Sequence, residues 1–152
     1  MQFRFWYIIA FVAIIAGVIS VVSSPSYKTS LEAKYFYYMS DYKKAQELAT
    51  EAFKIDKYNR MAATIMTQSQ VALQFESYIA DAKKYKKIID ALSTKESITK
   101  ADKARVKMMC EIMIDSYVKI SSTVVLDSSL VEEAKHYHQL FTKLYEEITP
   151  KI

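Results

Sequence analysis

The stretch DYKKAQELATEAFKID, residues 41–56, decides the fold of this chain. Its apolar side chains recur at intervals of three and four positions, which is the period of one face of an α-helix. The residues on that face are Tyr42, Ala45, Leu48, Ala49, Ala52 and Ile55. Asp41 offers a side-chain oxygen that can cap the first turn. The stretch therefore predicts a helix that begins after Asp41, ends near Asp56 and presents alanines to whatever lies opposite.

Glycine and proline are nearly absent from the rest of the chain. The 152 residues include one Gly and two Pro, and residues 26–149 contain neither. Strand hairpins and phosphate-binding loops usually need glycine at positive backbone angles. The composition therefore excludes Gly-rich nucleotide-binding folds and predicts an all-α chain.

Positive and negative charges are balanced over most of the chain. Arg4 and Lys28 account for two of the 21 basic residues, which leaves 19 basic residues against 17 acidic ones over residues 29–152. Such a mixed surface lacks the basic stripe by which many proteins bind nucleic acid. The sequence therefore predicts no nucleic-acid partner.

Residues 5–22 form an uncharged apolar run that follows Arg4. As a helix, this run would be about 27 Å long, close to the roughly 30 Å of a hydrocarbon core. It predicts an N-terminal transmembrane anchor and short linker over residues 1–28, ahead of a helical domain over residues 29–149. The alternative is a signal peptide with Arg4 as its positively charged region.

The charges that flank the apolar run bear on its orientation. Arg4 favours a cytoplasmic N-terminus, whereas Lys28 and Lys34 oppose it. A domain of about 125 residues is translocated largely regardless of such charges. The sequence therefore predicts a single-pass inner-membrane protein whose C-terminal domain lies in the periplasm.

Further helices are predicted on both sides of the opening stretch. TSLE, residues 29–32, fits a capping box and predicts a helix from Thr29 to about Met39. Apolar spacing predicts helices over residues 60–92, and whether they break near Ser77 is left open by the periodicity.

Two more helices are predicted after the polar loop over residues 93–100. The residues that mark the first of them are Ala101, Ala104, Met108, Ile112, Asp115 and Tyr117. The last helix repeats Leu130, Ala134, Tyr137, Phe141, Leu144 and Ile148 at spacings of four and three. Together these patterns predict an all-α bundle or solenoid of about six helices behind the transmembrane helix.

The opening stretch resembles the second helix of a tetratricopeptide repeat. The resemblance covers Asp41, Tyr42, Ala45, Leu48, Ala49, Ala52, Ile55 and Asp56, with Ala33 as the small residue of the first helix. In this family the small side chains let neighbouring helices approach closely. The resemblance implies one repeat over residues 26–59 and a second over residues 60–92, with another helix opposite the alanines. Thr29, Glu32, Ser40 and Lys57 depart from the family's pattern.

Proteins of this family bind peptides or helices in a groove lined by the first helix of each repeat. The resemblance places in that groove Lys34, Tyr37, Tyr38, Thr64 and Gln68. Exposed tyrosines provide rigid contact area for a protein partner, so the segment KYFYYM, residues 34–39, is the predicted binding site. The alternative is that Tyr35, Phe36 and Met39 face the core.

Residues that could carry catalysis or bind a metal do not form a recognisable set. His136 and His138 lie two positions apart, which points them in opposed directions on a helix. EAKH, residues 133–136, has the Glu-x-x-His spacing of di-iron bundles but has no second copy. Cys110 is the only cysteine and fits a buried helix position. The sequence predicts no catalytic residues, metal, cofactor or small-molecule substrate.

These features together predict a membrane-anchored, non-enzymatic scaffold or adaptor. It would bind other proteins of a cell-envelope machine, such as a flagellar motor scaffold, through its periplasmic domain. One alternative is a translocon-associated or chaperone-like subunit. Another is a receptor or accessory subunit of an organelle membrane with a cytosolic helical domain.

Overall fold

The chain is helical throughout the part that its computed structural model describes, residues 2–22, 24–95, 97–120 and 128–149. The helices are α1 (Gln2–Val22), α2 (Pro25–Tyr38), α3 (Tyr42–Ile55), α4 (Arg60–Ser93), α5 (Lys100–Lys119) and α6 (Ser128–Ile148). No strand occurs within these ranges, so the all-α prediction is confirmed. The chain divides into two compact units, unit 1 (Met1–Gln70) and unit 2 (Val71–Ile152), and the boundary falls within α4.

The prediction of a transmembrane helix is wrong. No helix among the described residues is both long enough and apolar enough to cross a membrane. The finding overturns the anchor over residues 5–22, and with it the assignment to the inner membrane with a periplasmic C-terminal domain.

The α2 helix begins four residues earlier than the sequence predicts. Ser24 is its N-cap, and the Ser24 hydroxyl accepts a hydrogen bond of 3.2 Å from the backbone N–H of Tyr27. Pro25 occupies the first helical position, where its fixed φ suits the helix and no hydrogen bond is lost. Thr29 lies inside the helix and donates to the carbonyl of Pro25. The predicted capping box at Thr29 is therefore absent.

A tight corner joins α2 to α3. The backbone N–H of Asp41 donates to the carbonyl of Phe36, and that of Ser40 to the carbonyl of Tyr37, each at 3.0 Å. This is the Schellman arrangement, which needs a residue with positive φ. Ser40 takes that position with φ of 60°. Asp41 then caps α3 by accepting from the N–H of Lys44, as the sequence predicts.

Replacing Ser40 by Gly is expected to stabilise unit 1 by about 1 kcal/mol, because glycine adopts positive φ without the clash that a Cβ brings. Urea unfolding of the whole chain measures the change. Ser40→Ala is the matched control and should give no gain, since alanine keeps the Cβ. A Ser40→Gly variant no more stable than Ser40→Ala would contradict the proposed strain at this corner.

The alanines of α3 face two other helices. Ala45 and Ala49 are fully buried in a cluster with Ala33 of α2 and Ile65 of α4. Small side chains at these positions let the helix backbones approach closely. The expectation that another helix lies opposite the alanines is confirmed, and α4 joins α2 there. Ile55, predicted on the same face, is exposed at the last position of α3.

Enlarging Ala49 tests this packing. Ala49→Leu should destabilise the chain by about 1–3 kcal/mol, because a fully buried site in contact with two helices has no room for three more carbons. Glu51→Leu adds a leucine at an exposed position of the same helix and should change stability by less than about 0.5 kcal/mol. Equal effects of the two substitutions in urea unfolding would show that the Ala49 site is not close-packed.

A buried polar cluster ties the ends of three helices together. Asn59 caps α4, since its Oδ1 accepts from the N–H of Ala62 at 3.1 Å. The Asn59 Nδ2 donates to the hydroxyls of Ser26 at 2.8 Å and Ser30 at 3.2 Å. The Ser26 hydroxyl donates in turn to the carbonyl of Ala52, near the end of α3, at 2.8 Å. We call these residues the Asn59 cluster.

The α4 helix is continuous from Arg60 to Ser93. Ser77, where the sequence leaves a break open, lies within it and is exposed. A tetratricopeptide repeat consists of two helices joined by a turn, and residues 60–92 contain no such turn. The part of the chain that can be compared with the family is therefore the α2–α3 pair.

Unit 2 has its own apolar core, formed by α5, α6 and the second part of α4. The buried members include Phe75, Ile79, Met113 and Phe141. Every position of the predicted α6 seam belongs to this core or packs against it, so that prediction is confirmed.

The α5 helix turns a different face to the core than the sequence predicts. Met109, Cys110 and Met113 are buried, whereas Met108 and Ile112 are exposed. The helix carries two apolar stripes, and the one that includes Met109, Cys110 and Met113 packs in the core of unit 2. Periodicity alone finds both stripes but does not rank them.

Candidate functional site

An exposed apolar stripe runs along α2. It consists of Leu31, Tyr35, Tyr38 and Met39, which recur at helical spacing, and we call it the α2 stripe. Tyr35 is 57% exposed and Tyr38 is 69% exposed. The opposite face of α2 carries the small residues Ser26, Ser30 and Ala33, all buried. The helix therefore buries its small side chains and leaves four large apolar ones exposed.

Two lysines border the α2 stripe. Lys28 lies three residues before Leu31 and Lys34 three residues after it, so both neighbour Leu31 on the helix surface. Lys28 is exposed, and the ammonium of half-buried Lys34 lies 5.8 Å from the centre of the Tyr38 ring. With exposed Glu32 three residues before Tyr35, the rim of the stripe carries two positive charges and one negative charge.

Two of the aromatic residues in KYFYYM are half-buried and turn toward the core of unit 1. Phe36 and Tyr37 pack against the cluster formed by Ala33, Ala45, Ala49 and Ile65. The Tyr37 ring meets that of buried Tyr42 edge-on, with centres 5.4 Å apart. The alternative that Tyr35, Phe36 and Met39 face the core thus holds only for Phe36.

The structure places the five predicted binding residues in different surroundings. Lys34 and Tyr38 lie together at the α2 stripe, whereas Tyr37 packs inward. Thr64 is exposed on α4, and Gln68 is half-buried one turn further along. Leu31, Tyr35 and Met39 complete the stripe. Tyr35 and Met39 belong to the predicted segment 34–39, whereas Leu31 lies outside it. Their spacing of four and then four from Leu31 is the signal that could have identified Leu31 as well.

Unit 2 contains an apolar cleft of about 400 Å³. Its lining includes Ile89, Leu92, Ile98, Val106, Leu144 and Ile148. Asp102 on its rim accepts from Thr99 and pairs with Lys95 at 3.1 Å. A small-molecule site needs polar groups that converge on the ligand, and this carboxylate is already engaged at the start of α5.

Residues that the sequence analysis considered for metal binding or catalysis are buried or engaged in contacts within the fold. Among the described residues no three His, Cys, Asp or Glu side chains lie close enough to hold a metal. Glu133, from the EAKH motif, forms an ion pair of 2.8 Å with Lys83. Cys110 is fully buried, and desolvation followed by the charge of Glu111 raises the pKa of its thiol to about 11. At neutral pH that thiol stays protonated and is a poor nucleophile.

His138 is held in an aromatic stack in unit 2. Its ring lies parallel to that of Tyr117, with centres 4.2 Å apart, and the Tyr117 ring is 5.6 Å from that of Tyr78. The Nδ1 of His138 is buried without a hydrogen-bond partner among the described residues. Desolvation lowers the pKa of His138 from its ordinary value.

This lowered pKa makes stability depend on pH. The folded chain favours neutral His138, so below about pH 6.5 the unfolded chain binds the proton first. Stability should therefore fall as the pH drops below that value, until the folded state is protonated as well. His138→Phe keeps a ring against Tyr117 and removes the titration, so its stability advantage over wild type should grow as the pH falls.

Urea unfolding between about pH 7.5 and about pH 5 measures this difference. His136→Gln is the control, since His136 is exposed on the same helix, and this variant should keep the pH dependence due to His138. Parallel curves for wild type and His138→Phe over this range would contradict the lowered pKa.

Comparisons of the chain with protein-family models, with curated proteins and with solved structures give no match. No family is shown for the chain, and the resemblance of α2 and α3 to a tetratricopeptide repeat stays a prediction.

Proposed function

We propose that this protein is a non-enzymatic adaptor that binds an amphipathic helix of a partner protein along the α2 stripe. The observation that carries the proposal is the exposure of Leu31, Tyr35, Tyr38 and Met39 in one line on a helix whose other face is fully occupied. Aligned large apolar side chains at a surface are characteristic of binding sites. Tyrosine is also enriched among the residues that contribute most to protein association.

The backbone that carries the stripe is fixed before any partner binds. Ser24 caps the beginning of α2, and the corner at Ser40 fixes its end. Asn59 holds the buried face of the helix through two serines. A site that is ordered in the free protein loses less conformational entropy on binding. This supports rigid docking along α2 over folding on contact.

The rim of the stripe suggests the chemistry of the partner. Lys28 and Lys34 would favour a helix with acidic residues beside its apolar face, since complementary charges guide association. The resemblance to tetratricopeptide repeats agrees with this role, because the first helix of such a repeat lines the binding groove. The protonated thiol of Cys110 and the ion pair of Glu133 support a role without catalysis.

Site-specific crosslinking tests the proposal in cells that produce the whole chain. A photo-crosslinking amino acid placed at Tyr38 should capture one protein at constant yield. The matched position is Tyr58, a tyrosine of unit 1 that is 93% exposed and lies in the turn before α4. The same group placed at Tyr58 should not capture that protein. Peptide mapping should locate the crosslink on an amphipathic helix with acidic residues.

Alanine variants test whether the crosslinked protein binds through the α2 stripe. Tyr38→Ala should weaken binding of the captured protein at least about tenfold without changing the stability of the chain. Tyr58→Ala should leave both unchanged. The same set of proteins captured from both positions would overturn the proposal, and so would many unrelated proteins captured at Tyr38, which would favour a chaperone-like role.

A further inference from the structure

The outer face of α5 presents a second exposed stripe, in unit 2. Four of its residues lie in one line at spacings of three, four and three, namely Arg105, Met108, Ile112 and Asp115. All four are exposed, Met108 by 60% and Ile112 by 42%. We call them the α5 stripe. It has an apolar centre, a positive end and a negative end.

The order of these residues is symmetric about the point midway between Met108 and Ile112. Two identical helices that meet antiparallel at that point place Met108 of each chain against Ile112 of the other. The same arrangement brings Arg105 of each chain to Asp115 of the other. Such a two-fold contact is isologous, because each pairing occurs twice. A parallel arrangement would instead place like charges together.

The charged ends of the stripe are not paired in the part of the chain that the structure describes. Arg105 and Asp115 take part in no ion pair formed among the described residues. They are ten positions apart on one helix, which is about 15 Å, so they do not reach each other. Next to the stripe, Ala104 and Ser116 would also meet across the two-fold axis, and their small side chains permit close approach.

We propose that the α5 stripe binds a second copy of this chain, so that two α5 helices pair antiparallel. The charge pattern favours this occupant, since in this register both charged ends of the stripe meet an opposite charge. A single pair of helices buries less than the roughly 1,200 Å² of a standard interface. The dimer is therefore weak and forms with increasing protein concentration. It involves unit 2 and does not depend on the partner proposed for α2.

Charge reversal tests the register of this dimer. Sedimentation equilibrium of the whole chain at low salt should show a monomer–dimer equilibrium. Arg105→Asp and Asp115→Arg should each weaken the dimer at least about tenfold, because each creates two like-charge contacts. Lys103→Asp reverses a charge at an exposed position on another side of α5 and should leave the dimer constant within about twofold.

Mixing the two reversed chains gives the decisive result. A chain with Arg105→Asp and a chain with Asp115→Arg form two attractive pairs, so their mixture should dimerise like wild type. The doubly reversed chain should also dimerise. The proposal is overturned if wild type stays monomeric at all concentrations, if the single reversals do not weaken association, or if the mixture associates no better than its components.

Discussion

The side-chain amide of Asn59 is the contact on which unit 1 depends. It starts α4 by capping the N–H of Ala62, and it donates to Ser26 and Ser30 on α2. The Ser26 hydroxyl in turn donates a hydrogen bond to the carbonyl of Ala52 on α3. Five polar side-chain and backbone groups thereby find partners, two of them the hydroxyls of buried Ser26 and Ser30. A buried polar group without a partner would cost about 1–3 kcal/mol, so the helix ends must meet in one register.

Close approach of the helices follows from the same region. Serines and alanines line the contact, and Ala33, Ala45 and Ala49 are fully buried where α2, α3 and α4 meet. Because the buried face of α2 carries small residues, four of its large apolar residues remain at the surface. Leu31, Tyr35 and Tyr38 are therefore at the surface as a consequence of how the helix packs. The packing of α2 through its small residues therefore accounts both for the architecture of unit 1 and for the exposure of its proposed binding site.

The sequence predicts the local features of this fold well. The face of α3, the cap at Asp41 and the seam of α6 all follow from helical spacing. The sequence predicts the start of α2 at Thr29 because TSLE fits a capping box, whereas Ser24 caps the helix and Pro25 is its first residue. The stripes of α5 show the limit of periodicity, which cannot tell the stripe that faces the core from one left to a partner.

The Asn59 cluster and the α2 stripe are harder to predict from the sequence than these local features. Asn59 and Ser26 are 33 positions apart, and Ser26 and Ala52 are 26 apart. Serine and asparagine near helix ends are common, and their pairing depends on how the helices pack. The sequence predicts Tyr38 and Lys34 as binding residues and includes Tyr35 and Met39 in the segment 34–39, but the resemblance to a repeat does not point to Leu31.

A double-mutant cycle between Ser26 and Asn59 tests most directly whether the cluster fixes the register of α2, α3 and α4. Urea unfolding of wild type, Ser26→Ala, Asn59→Ala and the double variant gives the coupling free energy. A direct contact within one network predicts a coupling of about 1 kcal/mol or more. Additive effects, within about 0.3 kcal/mol, would show that the two side chains stabilise the fold independently, and the Asn59 cluster would then not be what holds unit 1 together.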